Sequence, residues 1–259
     1  MSFPAEKLDA VILASSTSDR IIPATAAKIA DMLGAKNAFV FDLNSVCTSG
    51  LLGIWVAKSL LLSGYRNILI VAADTYSKIL NPKDFSTYPY FGDGAGAVLL
   101  SNEMDSALEV LGGIFASDGS GYEMVTVRGG GSEIPHNKLT SESDCYFSMK
   151  GRNVYEFAIS RASECISKLM NSEKISSSEV SQLILHQANI NIIKKISEAV
   201  GLPMSKCFVN LDKYGNTAGA SVLIAIDEYL SSGANTGGSI ILSAFGGGLT
   251  WGAIHIRRI

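Results

Sequence analysis

Three residues far apart in this chain, Cys47, His186 and Asn216, have the types of a nucleophile, a base and a hydrogen-bond donor. A thiolate attacks an electrophilic centre, an imidazole moves a proton, and an amide N–H steadies developing charge. Cys47 lies in NSVCTSGLLG, a turn that feeds straight into an apolar helix. A thiol there meets the positive end of the helix dipole, which is expected to lower its pKa. A free cysteine is also a common small core residue. His186 comes from LILHQAN, an apolar strand that ends in His186 and Asn189. Ligands of parallel α/β sheets bind at such strand ends, although a histidine satisfied by a local carbonyl has the same signature. His136 falls in an irregular loop and His255 alternates within a C-terminal strand, which makes His186 the best-placed base. Asn216 follows a glycine in DKYGNTAGAS, where asparagine is an ordinary turn residue.

An internal repeat relates these positions. From Asp9 to Asp74 the pattern is strand (AVILASS), helix (AAKIADMLG), strand (AFVFDL), the Cys47 turn, apolar helix (LLGIWVAKSLLLSG) and strand (ILIVAAD). From Gln182 to Ala244 it is strand (QLILHQA), helix (NIIKKISEAVG), strand (CFVNL), the Asn216 turn, apolar helix (ASVLIAIDEYL) and strand (SIILSAF). Two like halves about a pseudo-twofold axis bring both turns to the centre. Alternating strands and helices argue for parallel sheets covered by helices. The helices at Leu51 to Ser63 and Ala220 to Leu230 are apolar almost all round, so they belong between two sheets. Gly151 to Met170 and Ile190 to Val200 each have one apolar face and belong outside. Asp118 to Lys150 is rich in Gly and Ser, without a period, and reads as a long excursion that shapes a site or an interface. The second half has a strand (Leu108 to Ser117) and a long helix ahead of its first matched strand, and the first half shows no counterpart.

The 259 residues suffice for two fused half-domains, 1–106 and 107–259. A chain 47% apolar and 17% charged is a folded α/β body rather than a disordered one. A net charge of −3 favours neither nucleic acid nor an anionic membrane as partner. The longest apolar run is too short to span a bilayer, and no leader pattern opens the chain. Cys47, Cys145, Cys165 and Cys207 have no paired spacing, which points to a reducing cytoplasm and away from disulfides or zinc. FGGGLTWG, from Phe245 to Gly252, lets backbone approach a ligand with its N–H groups forward, as in half of an oxyanion hole. FGDGAGA holds the comparable place in the first half and reads as a tight turn; neither motif fits a phosphate or dinucleotide loop.

Taken in order, LASSTS near Ser15, the Cys47 turn, GDGAGAVLLS, LILHQANINII, DKYGNTAGAS and AFGGGLTWG resemble the β-ketoacyl-acyl-carrier-protein synthase III family of the thiolase superfamily, from Asp9 to Ile259. A Cys–His–Asn set separates that branch from elongating synthases with Cys–His–His. It also separates it from biosynthetic thiolases, which carry a second cysteine in the last glycine loop. The resemblance implies a layered αβαβα sandwich of two βαβαβ halves, with the N-terminal half truncated. It implies decarboxylative condensation of an acyl thioester with malonyl-acyl carrier protein, as in initiation of fatty acid or polyketide synthesis. Cys47 would accept the acyl group, and His186 and Asn216 would hold the thioester carbonyl and the enolate. The N–H groups of Cys47 and Gly247 would form the oxyanion hole. Coenzyme A and acyl-carrier-protein thioesters would be substrates, with no metal or redox cofactor.

Ile22, Phe85 and Asn189 fall at expected substrate-binding positions. Ile22 stands where the family often has a Phe that crosses a dimer into the neighbour's acyl pocket. Phe85 replaces an Arg that holds coenzyme A. The family's first strand and helix, which carry a Trp and an Arg for the adenine, lack a match here. The resemblance places that strand at the centre of the N-terminal sheet. Two further readings share these residues: a synthase-like acyltransferase to an oxygen or nitrogen acceptor, and a non-catalytic partner subunit of a heteromeric synthase. The expected assembly is a homodimer or a heteromer with a synthase-like chain.

Overall fold

Each half of the repeat folds around its own sheet. The structure, a computed structural model, describes residues 3–104, 108–233 and 237–258. The first half contains β1 (Ala10–Ala14), α1 (Thr25–Leu33), β2 (Phe39–Leu43), α2 (Ser49–Leu62), β3 (Asn67–Asp74) and β4 (Gly94–Ser101). The second opens with β5 (Leu108–Ser117), a two-stranded ribbon of β6 (Val125–Thr126) and β7 (Ser148–Met149), and α3 (Gly151–Ser172). It continues with β8 (Val180–Leu185), α4 (Ile190–Ala199), β9 (Cys207–Phe208), α5 (Leu211–Tyr214), α6 (Ser221–Ser231), β10 (Ser239–Gly246) and β11 (Thr250–Arg258). The boundary expected at 106/107 lies outside the described residues. The long excursion is a string of short 3-10 turns around the β6–β7 ribbon.

The strand orders are β2-β1-β3-β4 and β5-β11-β10-β8-β9. Thus β9-β8-β10-β11 repeats β2-β1-β3-β4. Parallel pairing holds within the first three strands of each set. The last strand of each runs antiparallel, which the tight Gly246–Thr250 turn enforces between β10 and β11.

The expectation that a central strand is missing from the first sheet is overturned. β1 is hydrogen-bonded directly to β2 on one side and β3 on the other, from Ala10 to Ala14. The strand without a mate is β5, and β5 is an edge strand beside β11. Its position in the first half would be beyond β4. The first sheet is therefore continuous, and the two rows of unpaired backbone groups that a central gap would leave do not arise.

Between the sheets lie α2 and α6, as their all-round apolarity predicts. Leu51, Ile54 and Ala57 of α2 share one core with Ile68 and Ile70 of the first sheet and Leu242 and Ile254 of the second. Burying one such side chain contributes about 1.5–3 kcal/mol. Lys58 interrupts α2 without breaking the layer, because its Nζ reaches the Val110 and Leu111 carbonyls and lies over the Trp55 ring. Outside, α1 sets Ala30 against Val11, and α3 and α4 set Ala162, Ile166 and Ile193 against Leu183 and Ile241. The order of layers is α1, first sheet, α2 with α6, second sheet, α3 with α4.

Candidate active site

The middle layer meets the two sheets at a cavity of about 290 Å³. Cys47, His186 and Asn216 all line it, with Phe91, Phe147, Gly246 and Gly247 beside them. Asn189 lines the same cavity and also caps α4, its Oδ1 accepting the Asn191 N–H at 2.8 Å. Ile22 and Phe85 lie elsewhere: they are 81% and 79% exposed and are not among the lining residues.

The turn that holds Cys47 and the turn that holds Asn216 have one design. In each, an asparagine Oδ1 accepts the N–H two residues on, at 3.1 Å for Asn44 with Val46 and 2.9 Å for Asn216 with Ala218. That third residue has a left-handed backbone, φ 49° at Val46 and 48° at Ala218. A serine then opens the helix, Ser49 or Ser221. The register therefore pairs NSVCTS with NTAGAS, so Asn44 corresponds to Asn216 and Cys47 to Gly219. Non-glycine residues in the left-handed region carry strain of order 1–3 kcal/mol, which packing must hold in place. At the Cys47 turn Gly246 packs closely, since a Cβ on it would come within 2.8 Å of the Cys47 Cβ.

Because Asn216 spends its Oδ1 on Ala218, its Nδ2 is the end left to donate into the cavity. His186 is oriented by Ser221, whose Oγ lies 2.6 Å from Nδ1. The same Oγ accepts the Gln187 N–H at 3.4 Å, and its hydroxyl hydrogen is assigned to Nδ1. That assignment puts the imidazole proton on Nε2. Burial drives the His186 pKa down to about 3, which favours the neutral ring. A neutral imidazole can donate from one ring nitrogen and accept at the other.

Cys47 departs from its expected electrostatics. Burial pushes its thiol up to about 12, and the nearby Asp74 adds to the rise. The short 3-10 turn Val46–Thr48 carries Cys47 ahead of α2, which opens at Ser49. Alkylation of Cys47 by iodoacetamide should accordingly climb about tenfold per pH unit between about pH 6 and pH 9. A plateau beginning near neutrality would contradict this.

A chain of hydroxyls ties the Cys47 turn to the glycine loop. Thr48 Oγ1 donates to the Ser45 carbonyl at 2.7 Å and lies 2.9 Å from Thr250 Oγ1. Thr250 Oγ1 in turn lies 3.0 Å from the Gly247 carbonyl. The two backbone segments expected to supply the oxyanion donors are thus locked to each other. Sequence reasoning missed Ser221 and Thr250, and it missed the aromatic inner wall. There Phe91 and Phe147 meet at 5.1 Å between ring centroids. The buried Tyr76 packs against both, at 4.9 and 5.5 Å.

Comparison with known proteins follows the same lines. Residues 41–119 match the family model described as 3-Oxoacyl-[acyl-carrier-protein (ACP)] synthase III, and residues 170–258 match that of its C-terminal part. The chain is 40% identical to the beta-ketoacyl-acyl-carrier-protein synthase III of Clostridium perfringens, over 98% of this chain and 78% of that protein. Among solved structures, the 3-oxoacyl-acyl-carrier-protein synthase III of Aquifex aeolicus VF5 superposes with a TM-score of 0.88 at 33% identity, covering 98% of this chain and 79% of that one. The priming beta-ketosynthase of the R1128 polyketide pathway superposes with a TM-score of 0.88 at 25% identity, covering 98% and 76%.

Proposed function

The chain belongs to the 3-oxoacyl-acyl-carrier-protein synthase III family of condensing acyltransferases, and from that premise we propose how its own residues run the reaction. The observation that carries the reading is the meeting of Cys47, His186 and Asn216 on one cavity between the halves. Cys47 Sγ attacks the starter thioester, a sulfur–carbon bond forms, and the carrier thiol leaves with the cysteine proton. The carbonyl oxygen turns to the N–H groups of Cys47 and Gly247. Malonyl-acyl carrier protein then enters and loses carbon dioxide. The enolate oxygen takes hydrogen bonds from His186 Nε2 and Asn216 Nδ2. Its carbon attacks the Cys47 thioester, giving the β-ketoacyl carrier protein and a thiolate that recovers a proton. Coenzyme A and acyl carrier protein serve as substrate carriers, and the scheme needs no metal or redox cofactor.

Neutral donors suit this chemistry. The enolate gains two fixed donors where charge appears, and no ionised side chain has to be desolvated to provide them. Asn189 lines the cavity and Phe85 stands exposed next to Ser86, which lines it too, and there we place contacts to the carrier arm.

The aromatic wall favours a short starter, because Phe91, Phe147 and Tyr76 close the cavity beside Cys47. Acetyl thioesters should load faster than octanoyl ones. Phe147→Ala should raise the octanoyl-to-acetyl loading ratio about tenfold or more. An unchanged ratio would mean the acyl chain lies elsewhere.

We further place the reaction in the cytoplasm and in a two-chain assembly. Four unpaired cysteines support the first. No helix of the described residues is long and apolar enough to cross a membrane. Ile21 and Ile22, exposed at 85% and 81% outside their own cavity, support the second. Light scattering should return twice the chain mass of 27.4 kDa; a single-chain mass at working concentration would refute it.

A further inference from the structure

The register of the two turns makes the molecule nearly two-centred. Cys47 corresponds to Gly219, and His186 corresponds to Ala14, because Ser243 lies opposite Leu185 as Val71 lies opposite Leu13. Gly246 closes the eight-residue β10 as Asp74 closes the eight-residue β3. At one centre Gly246 leaves space against a reactive thiol. At the other the space is filled: Asp74 is 1% exposed and surrounded by donors. Its Oδ2 accepts the Gly219 N–H at 2.9 Å. Its Oδ1 accepts the Ser16 N–H at 2.8 Å and the hydroxyls of Ser15, Ser16 and Thr17 at 3.2, 3.0 and 3.1 Å. Burial pushes the Asp74 carboxyl above its ordinary value, and the Ser16, Gly219 and Thr17 donors pull it back.

The Gly219 N–H is the counterpart of the Cys47 N–H. A carboxylate oxygen therefore sits where, in the reactive half, the thioester oxyanion is expected. We propose that Asp74 is a positioning residue that occupies the mirrored oxyanion position and pins the Asn216–Ser221 turn to the first half. The pin acts three residues beyond Asn216, through the left-handed Ala218 whose N–H fixes the Asn216 amide. It also holds Ser221, the partner of His186 Nδ1. Both donors to the enolate thus depend on one buried carboxylate from the opposite half. Gly219 is suited to the contact, because a Cβ there would come within 3.1 Å of both Asp74 Oδ2 and the Val46 carbonyl.

This inference rests on the condensing role given above to Asn216 and His186, and its test separates the two. Asp74→Ala and the near-isosteric Asp74→Asn are compared with wild type in two rates, acyl loading of Cys47 and malonyl decarboxylation. Both are repeated in an Asn216→Ala background. Hydrogen exchange is followed at residues 216–221 and at residues 44–49. The expected result for Asp74→Ala is a loss of about tenfold or more in decarboxylation with little loss in loading. Exchange should rise at 216–221 and stay unchanged at 44–49. In the Asn216→Ala background the further loss should vanish, because the pin then has no amide to hold. Asp74→Asn should fall between wild type and Asp74→Ala. Equal loss in both rates, or full additivity with Asn216→Ala, would overturn the positioning role. Unchanged exchange at 216–221 would do the same, whatever the rates. A wild-type chain that never decarboxylates malonyl thioesters would instead overturn the condensing role, and the exchange data would still decide the pin. Should Asp74→Ala not fold, Asp74→Asn alone decides by the same split of rates.

Discussion

Cys47→Ala abolishes both the covalent acyl adduct and the β-ketoacyl product. The argument is one of bonds. The starter must leave its carrier before the malonyl carbon attacks, and Cys47 is the one thiol among the residues lining the cavity. Cys165 is buried under α3 against the Ile114 carbonyl, away from the cavity. Alanine at position 47 removes one sulfur beside an existing cavity, so folding should survive and thermal melting should move little. Intact mass after incubation with acetyl-CoA reads the adduct directly. An adduct that persists in Cys47→Ala would move the nucleophile elsewhere.

His186→Ala and Asn216→Ala lose about 10²–10³ in malonyl decarboxylation while loading of Cys47 is comparatively spared. Removing one fixed donor to developing charge typically has that effect, roughly 2.7–4 kcal/mol in the barrier. His186 also packs its ring edge-on to Phe245, so melting curves must accompany its rates. Ser221→Ala is the control for orientation: it leaves Nδ1 without its hydroxyl, and the imidazole proton is no longer confined to Nε2. Its decarboxylation rate should fall between wild type and His186→Ala. Equal losses in loading and decarboxylation across these variants would show that the two side chains serve the whole site rather than the malonyl step.

The three chemical residues were legible because each sits at a strand end or helix start within a repeat that is visible by eye. Asn216 was the least obvious, since an asparagine after a glycine is a common turn. Its real partner was already in the sequence: NSVCTS and NTAGAS match position for position, which pairs Asn44, not Cys47, with Asn216. What the chain could not reveal depended on contacts between halves. Asp74 looks like the polar end of a strand until its carboxylate is seen against Gly219. Ser221 looks like a helix opener until it is seen beside His186. The thiol of Cys47 shows the limit of a local rule. A helix start argues for a lowered pKa, whereas burial and Asp74 push the thiol up. Strand order behaved similarly: the repeat disclosed an unmatched strand, but only the pairing of β1 with β2 and β3 shows that the unmatched position is at an edge.

The central claim, that acyl-Cys47 condenses with a malonyl thioester, is tested most directly by a single turnover. The chain is loaded with acetyl on Cys47, freed of excess acetyl-CoA, and mixed with malonyl-acyl carrier protein labelled in its free carboxylate. Acetyl should leave the enzyme as acetoacetyl-acyl carrier protein appears, one for one, with one labelled carbon dioxide released per turnover. Acetyl that stays on Cys47, or passes to an oxygen or nitrogen acceptor while malonyl-acyl carrier protein remains intact, would contradict the account.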